Sequence, residues 1–305
     1  MFKNSVSLLV SYGKKSIGFF LFLVCAIAIY NKVLANENWA QYGEKIKIQF
    51  LAIYLYQWIV LLLLMSMNFL IESIKWHQVV AKNNPISILK SIRSVFVGQS
   101  FAFFTPNRIG EYAGRTLFLN EGNKLLGMAQ MAWASYAQLL ITILIGSFAL
   151  MIHLPFYPWL QWASPILGIV ATGLFFYRKE WKGWAGKLTI LQIPTSTKFK
   201  LLGLSLIRYI VFMLQYIWAA YMLGMLINPV DLAVSIAILF LCLSILPTIS
   251  ITELVIRGQL LLIILAPFYQ IKIMIISLST LIWAINFLLP AIIGAFLLIG
   301  YRLKQ

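Results

Sequence analysis

Acidic residues are scarce in this chain. Eight Asp and Glu stand against 24 Lys and Arg in 305 residues, and the four charged types together make up only 10% of the sequence. A soluble domain carries about 25%, so a chain that faces water over its whole surface is excluded. No polar stretch of domain length breaks the pattern, and none is read as a soluble domain. Cysteine is almost missing. Cys25 and Cys242 each lie inside an apolar run and read as buried free thiols, which leaves no disulfide framework and no paired-cysteine metal motif. The two histidines, His77 and His153, lie near the ends of apolar runs and read as interface residues. There is no HExxH, no nucleophile elbow and no glycine-rich phosphate loop. No catalytic residue, metal or other cofactor is therefore expected.

What the chain has in abundance is apolar sequence: 62% hydrophobic residues and a mean hydropathy of +0.90. Apolar runs read as membrane spans, for which about 20 residues are needed, recur at 16–34, 50–71, 127–153, 162–177 (the shortest, and below that length), 201–226 and 272–300. A signal peptide ending near Ala35 is the rival reading of the first run. The net charge of +16 could suggest a nucleic-acid partner. Its placement argues otherwise, because the basic residues cluster between alternate spans. The segments 1–15, 75–93, around 124, 178–200 and 302–304 hold 16 Lys and Arg, and the opposite set holds only Lys32, Lys45, Lys47 and Lys272. Such a bias marks the cytoplasmic side of a membrane protein and puts both termini there. Contact with anionic lipid headgroups is a second use for the same charge. Glu72, Lys75, Trp76 and His77 close the second span. Lys75 and Trp76 read as an interface anchor, and Glu72 either lies at that interface or pairs with Lys75 or an arginine.

Two stretches do not fit this scheme, and they resemble each other. Residues 98–119 read GQSFAFFTPNRIGEYAGRTLFL, and residues 246–258 read LPTISITELVIRG. Each carries a proline that ends a helix, Pro106 or Pro247. Each then has a glutamate followed by an arginine four later, Glu111 with Arg115 and Glu253 with Arg257, on one face of the restarting helix. The apolar arms around each proline are too short to cross, so 86–122 and 231–266 read as re-entrant hairpins entering from opposite sides. Gly110 and Gly114 would let the first hairpin close tightly. The expected fold is an all-α polytopic membrane protein. It has one membrane domain over 1–305, about six transmembrane helices and two re-entrant helical hairpins. The halves, about 1–155 and 156–305, form an inverted repeat, an arrangement common among alternating-access transporters.

A charge at bilayer depth costs roughly 2.5–3.5 kcal/mol on insertion scales, so these residues should face inward and have partners. One reading is a polar cavity in which Arg108, Arg115 and Arg257 meet an anionic headgroup while Glu111 and Glu253 hold the arginines in place. The other is that each Glu–Arg pair is a salt bridge that only locks its hairpin. Arg208 and Gln215, two turns apart on one face, either line the same cavity or, for Arg208, lie at the inner interface.

The segment TPNRIGEYAGR at 105–115 resembles the membrane region of lysylphosphatidylglycerol synthases and the stand-alone flippase-like proteins related to it. Lys75-Trp76, Arg208 with Gln215, and the Pro–Glu segment at 247–253 fit the same likeness, which covers nearly all of the chain. The family's two-domain members couple a soluble catalytic domain to a membrane domain that flips the lipid product. With no soluble domain in this sequence, the resemblance implies lipid movement without aminoacyl transfer. The expected function is a flippase or transporter of an anionic phospholipid or polyprenyl-phosphate-type lipid in the bacterial inner membrane. Its partners are membrane lipids, and a homo-oligomer is compatible with the sequence. The alternatives are a membrane subunit or enzyme acting on a lipid-linked substrate, and a non-transporting scaffold whose arginines are paired in a dry bundle.

Overall fold

Four helices have the length and apolar content to cross a membrane. The computed structural model describes residues 50–81, 83–120, 124–153, 158–177, 193–246 and 250–302, with isolated positions Ile27, Glu44, Lys47 and Ile48. All regular structure among the described residues is helical. The helices are α1 Leu55–Val80, α2 Ile88–Phe103, α3 Gly110–Thr116, α4 Lys124–His153, α5 Pro158–Phe176, α6 Thr195–Met222, α7 Pro229–Ile245, α8 Ser250–Leu265, α9 Lys272–Trp283 and α10 Leu289–Arg302. The four are α1, α4, α6 and the continuous run Lys272–Ile299 through α9 and α10. Each has at least 26 residues, or about 39 Å at 1.5 Å per residue, against a hydrocarbon core of about 30 Å.

Of the six expected spans, these four are present. The first, at 16–34, lies outside the described residues, as do Cys25, the basic stretch 1–15 and most of the loop 178–200. The fourth falls in α5, within which Pro165–Phe176 is a shorter apolar helix. Polarity is inverted relative to a soluble protein. Leu62, Leu63, Leu70, Phe148, Ile207, Ile210 and Phe296 are exposed on the outer faces of the long helices, whereas Asn68, Lys75, Gln99, Arg115, Gln215 and Asn286 are buried. An apolar girdle of that kind is far beyond what a soluble monomer exposes.

The two unusual stretches are each a pair of short helices. The arms α2, α7 and α8 have 16, 17 and 16 residues, about 24–26 Å long. In the first pair, Ser87 caps α2 by accepting the Lys90 N–H at 3.2 Å, and the helix runs to Phe103. Thr105 is extended (φ −113°, ψ 141°), as the residue before a proline must be, and Pro106 opens a single 3-10 turn, Pro106–Arg108. Asn107 and Arg108 both have left-handed backbone, with φ of 51° and 58°. The Thr105 hydroxyl accepts the Gly110 N–H at 2.8 Å and so caps the restart of the helix. Helix α3 then folds back along α2 with no room between them: a Cβ on Gly114 would lie 2.7 Å from Gly98 Cα, and one on Gly110 would lie 2.4 Å from Phe101 O.

On its other side α2 packs against α10. A Cβ on Gly294 would lie 1.9 Å from Phe96 O, and Ser100 Oγ donates to Ala291 O at 2.6 Å. In the second pair, Asn228 caps α7 with Pro229 at its first position, a placement that suits proline because that N–H has no partner anyway. Helix α7 ends at Ile245 with Leu246 extended, and α8 begins at Ser250. The break attributed to Pro247 lies outside the described residues.

Pro290 lies inside the last span, where a proline removes a helix hydrogen bond and tends to kink the helix. The structure accommodates it one turn earlier, by widening Ala284–Leu288 into a π-helical turn in which the Leu289 N–H bonds back to Ala284 O. Such wide turns cluster at functional sites, and this one carries Phe287 and Asn286 into the interior.

Candidate functional site

The site forms where α1, α3, α4, α6, α8 and the π turn converge. Its hub is Glu72. Asn68, Glu72 and Lys75 lie four and three residues apart, on one face of α1. All three are buried. Glu72 accepts from Lys75 Nζ at 3.3 Å and from Arg115 at 2.9 Å, and it lies 3.1 Å from Arg208 in a third ion pair. Arg115 reaches across to Glu111 as well, and Glu111 lies 3.5 Å from Arg108. The result is an unbroken chain of alternating charge: Arg208, Glu72, Arg115, Glu111, Arg108. Arg208 Nε also donates to Asn68 Oδ1 at 2.7 Å, and Arg108 donates to Gln99 Oε1. Lys75 Nζ donates to Gln138 Oε1 at 3.4 Å.

The structure thus chooses between the two readings of Glu72. It is an internal partner of three cations and not an interface residue. Lys75 and Trp76 do not anchor the helix at a membrane surface either, because both are fully enclosed, with Trp76 beneath the Arg115 guanidinium at 5.8 Å.

A second, smaller network comes from α8. Arg257 pairs with Glu253 and donates to Tyr216 Oη at 2.6 Å. The two networks meet at one ring. The guanidinium carbons of Arg108 and Arg257 lie 5.0 and 5.2 Å from the centre of Phe287, within range of a cation–π attraction that strengthens where water is excluded. Between the networks is a cavity of about 460 Å³. Its charged lining is Glu72, Lys75, Arg108, Glu111, Arg208, Glu253 and Arg257, and Phe212, Phe240 and Phe287 form an aromatic wall.

Of the seven residues singled out from sequence, Arg108, Glu111, Arg208, Glu253 and Arg257 line this cavity. Arg115 lies behind the lining, where its Nη2 donates to both Glu72 and Glu111. Gln215 is also set back. It donates to Leu61 O at 3.4 Å and accepts from Asn286 at 2.9 Å, tying α6 to α1 and to the π turn. Exposure separates the arginines into two kinds. The side chains of Arg108 and Arg208 are 35% and 24% exposed, whereas those of Arg115 and Arg257 are 1% and 3% exposed. The first two can present donors to a ligand, and the second two hold the scaffold. Glu111 and Glu253 each occupy the first turn of a helix after a break, where the helix dipole favours a carboxylate.

Glu72, Asn68, Lys75, Tyr209 and Phe287 were not predicted as site residues. The polar face at 68, 72 and 75 in an otherwise apolar helix was the available signal for the first three. No family model matches the chain, and neither a curated protein nor a solved structure matches it. Among the described residues no group of His, Cys, Asp or Glu could hold a metal ion.

Proposed function

We propose that this chain is an integral membrane transporter that moves the headgroup of an anionic lipid through the charged cavity while the acyl chains stay in the bilayer. The observation that carries the reading is the cavity itself, with two exposed arginines, Arg108 and Arg208, on a scaffold of buried ion pairs. A guanidinium bonds two oxygens of a phosphate at once with its flat fork of donors. The apolar outer faces of the long helices provide the surface along which lipid tails would slide. A dry scaffold would need no cavity between its ion pairs.

In this proposal the chain crosses six times, and the pairs α2–α3 and α7–α8 are re-entrant hairpins entering from opposite faces, as in an inverted repeat. Both termini are cytoplasmic and the membrane is a bacterial inner membrane. Kinship with the lysylphosphatidylglycerol synthase membrane region is part of the same proposal and rests on residues 105–115.

The test is reconstitution into liposomes with fluorescent phosphatidylglycerol, phosphatidic acid and phosphatidylcholine, read by quenching of outer-leaflet label. The two anionic lipids should cross and the zwitterionic lipid should not. Arg108→Gln and Arg208→Gln should each slow crossing by about tenfold, roughly 1.4 kcal/mol at the barrier. Equal rates for all three lipids, or full rates in both variants, would remove the assignment.

A further inference from the structure

We propose that the cavity is built for a phosphate carrying two negative charges, a phosphomonoester or diphosphate terminus, in preference to a phosphodiester headgroup with one. This rests on the lipid-transport reading and narrows its substrate.

The first argument is fixed charge. Among the described residues, the lining and the ion pairs behind it hold five cations, Lys75, Arg108, Arg115, Arg208 and Arg257, against three carboxylates, Glu72, Glu111 and Glu253. Two positive charges are left over inside an apolar bundle, where each uncompensated charge is costly. A phosphodiester would cancel one of them, and a doubly ionised phosphate cancels both.

The second argument is where the excess is located. One of the two is Lys75, buried against Glu72, and the other belongs to the alternating chain Arg208, Glu72, Arg115, Glu111, Arg108, which begins and ends on a cation and whose two ends are the exposed ones. Each carboxylate inside the chain is shared, so among the described residues neither end arginine has a carboxylate of its own, and Arg108 Nε has no partner. A phosphomonoester presents three free oxygens, enough to engage both forks at once, whereas a phosphodiester presents two.

The third argument is an unused buried donor. Tyr209 lines the cavity, is buried, and its hydroxyl has no partner among the described residues. Burying a hydroxyl without a partner costs roughly 1–3 kcal/mol, which a third phosphate oxygen would relieve. The backbone adds to the case. Two successive non-glycine residues, Asn107 and Arg108, are held in left-handed conformation at the point where Arg108 enters the cavity. Strain of that kind persists where the surroundings over-determine it, often at ligand sites.

The test uses the full chain in phosphatidylcholine nanodiscs at pH 8, above the second phosphate pKa of about 6. Dioleoyl phosphatidic acid and dioleoyl phosphatidylglycerol share their tails and differ in being monoester and diester. Phosphatidic acid should bind at least about tenfold more tightly. Arg108→Gln and Arg208→Gln should each reduce that preference to about twofold or less. Arg208→Lys, which keeps the charge, should retain most of it and shows that the loss is not misfolding. Equal binding of the two lipids by the wild-type chain overturns the dianion proposal and leaves the lipid reading standing. Binding of neither lipid overturns both. A preference unchanged in both glutamine variants overturns the site. Inorganic phosphate that competes as well as phosphatidic acid supports the dianion and overturns the lipid anchor.

Discussion

The two broken helix pairs share a Glu–Arg spacing and differ in almost everything else. In the pair α2–α3 the return arm has seven residues and is pressed against its partner through Gly98, Gly110 and Gly114. In the pair α7–α8 the return arm has 16 residues, and the segment after Pro247, PTISITE, has no glycine. The first break carries an additional arginine, Arg108, and leaves it partly exposed. The second break has no counterpart, and its one arginine, Arg257, is sealed by Glu253 and Tyr216. A repeated motif therefore does not mean a repeated role. In each pair the Glu–Arg spacing closes a salt bridge that stabilises the restarted helix. In the proposed transport, reading the ligand falls to Arg108 and to Arg208, which belongs to α6 and to neither motif.

Substitutions can break this comparison, and the largest effect is expected at the hub. Glu72→Gln removes the shared partner of three cations and should cost about 3–5 kcal/mol, the range for breaking a buried ion pair. Thermal unfolding in detergent should show a large fall in Tm. The second pair offers a smaller target, because among the described residues Glu253 pairs with Arg257 alone, and Glu253→Gln should cost less. Equal losses at the two positions would show that the networks are equivalent after all.

Gly114→Ala comes next. Its methyl would meet the Gly98 backbone at 2.7 Å, and overpacking of that kind costs about 1–3 kcal/mol. Gly173 has open space where its Cβ would be, so Gly173→Ala on α5 is the matched control and should leave Tm unchanged.

Phe287→Leu should cost about 1–2 kcal/mol, because it takes away the ring that faces the guanidinium groups of both pairs. A double-mutant cycle with Arg108→Gln should show coupling. Additive losses would mean that the ring is only packing.

The smallest effect is a contrast at one position. Asn107 has φ of 51°, so Asn107→Gly should leave stability within about 0.5 kcal/mol, while Asn107→Val should cost about 1–2 kcal/mol in a left-handed backbone. Equal stability of the two variants would argue against strain at the break.

How much of this was legible in the sequence depends on whether the signal is local. The long apolar runs at 50–71, 127–153, 201–226 and 272–300 announce crossings by length alone, and all four are helices long enough to cross. The break at Thr105–Pro106 is equally local, since proline removes a donor and forces its neighbour into extended backbone. The pairing of Glu111 with Arg115 and of Glu253 with Arg257 follows from 3.6 residues per turn. Glu72 was harder to place. Followed by Lys75, Trp76 and His77, it looks like the polar end of a span, and only the packing of α2 and α6 against α1, with Arg115 reaching across from α3, makes it internal. Gln215 was drawn toward the cavity by its spacing from Arg208, but its partner, Asn286, comes from a π turn that no periodicity announces. The left-handed conformation at Arg108 has no sequence signal at all. Asparagine tolerates such backbone and arginine does not prefer it, so the geometry is imposed by Thr105, Pro106 and the close-packed Gly110.

The most direct measurement is electron density for the full chain crystallised from a lipidic mesophase doped with phosphatidic acid. The account predicts a phosphate peak in the cavity within hydrogen-bonding distance of both Arg108 and Arg208, with Arg115 still on Glu72 and Glu111. Headgroup density confined to the outer surface of the bundle, with no phosphate beside either arginine, would contradict it.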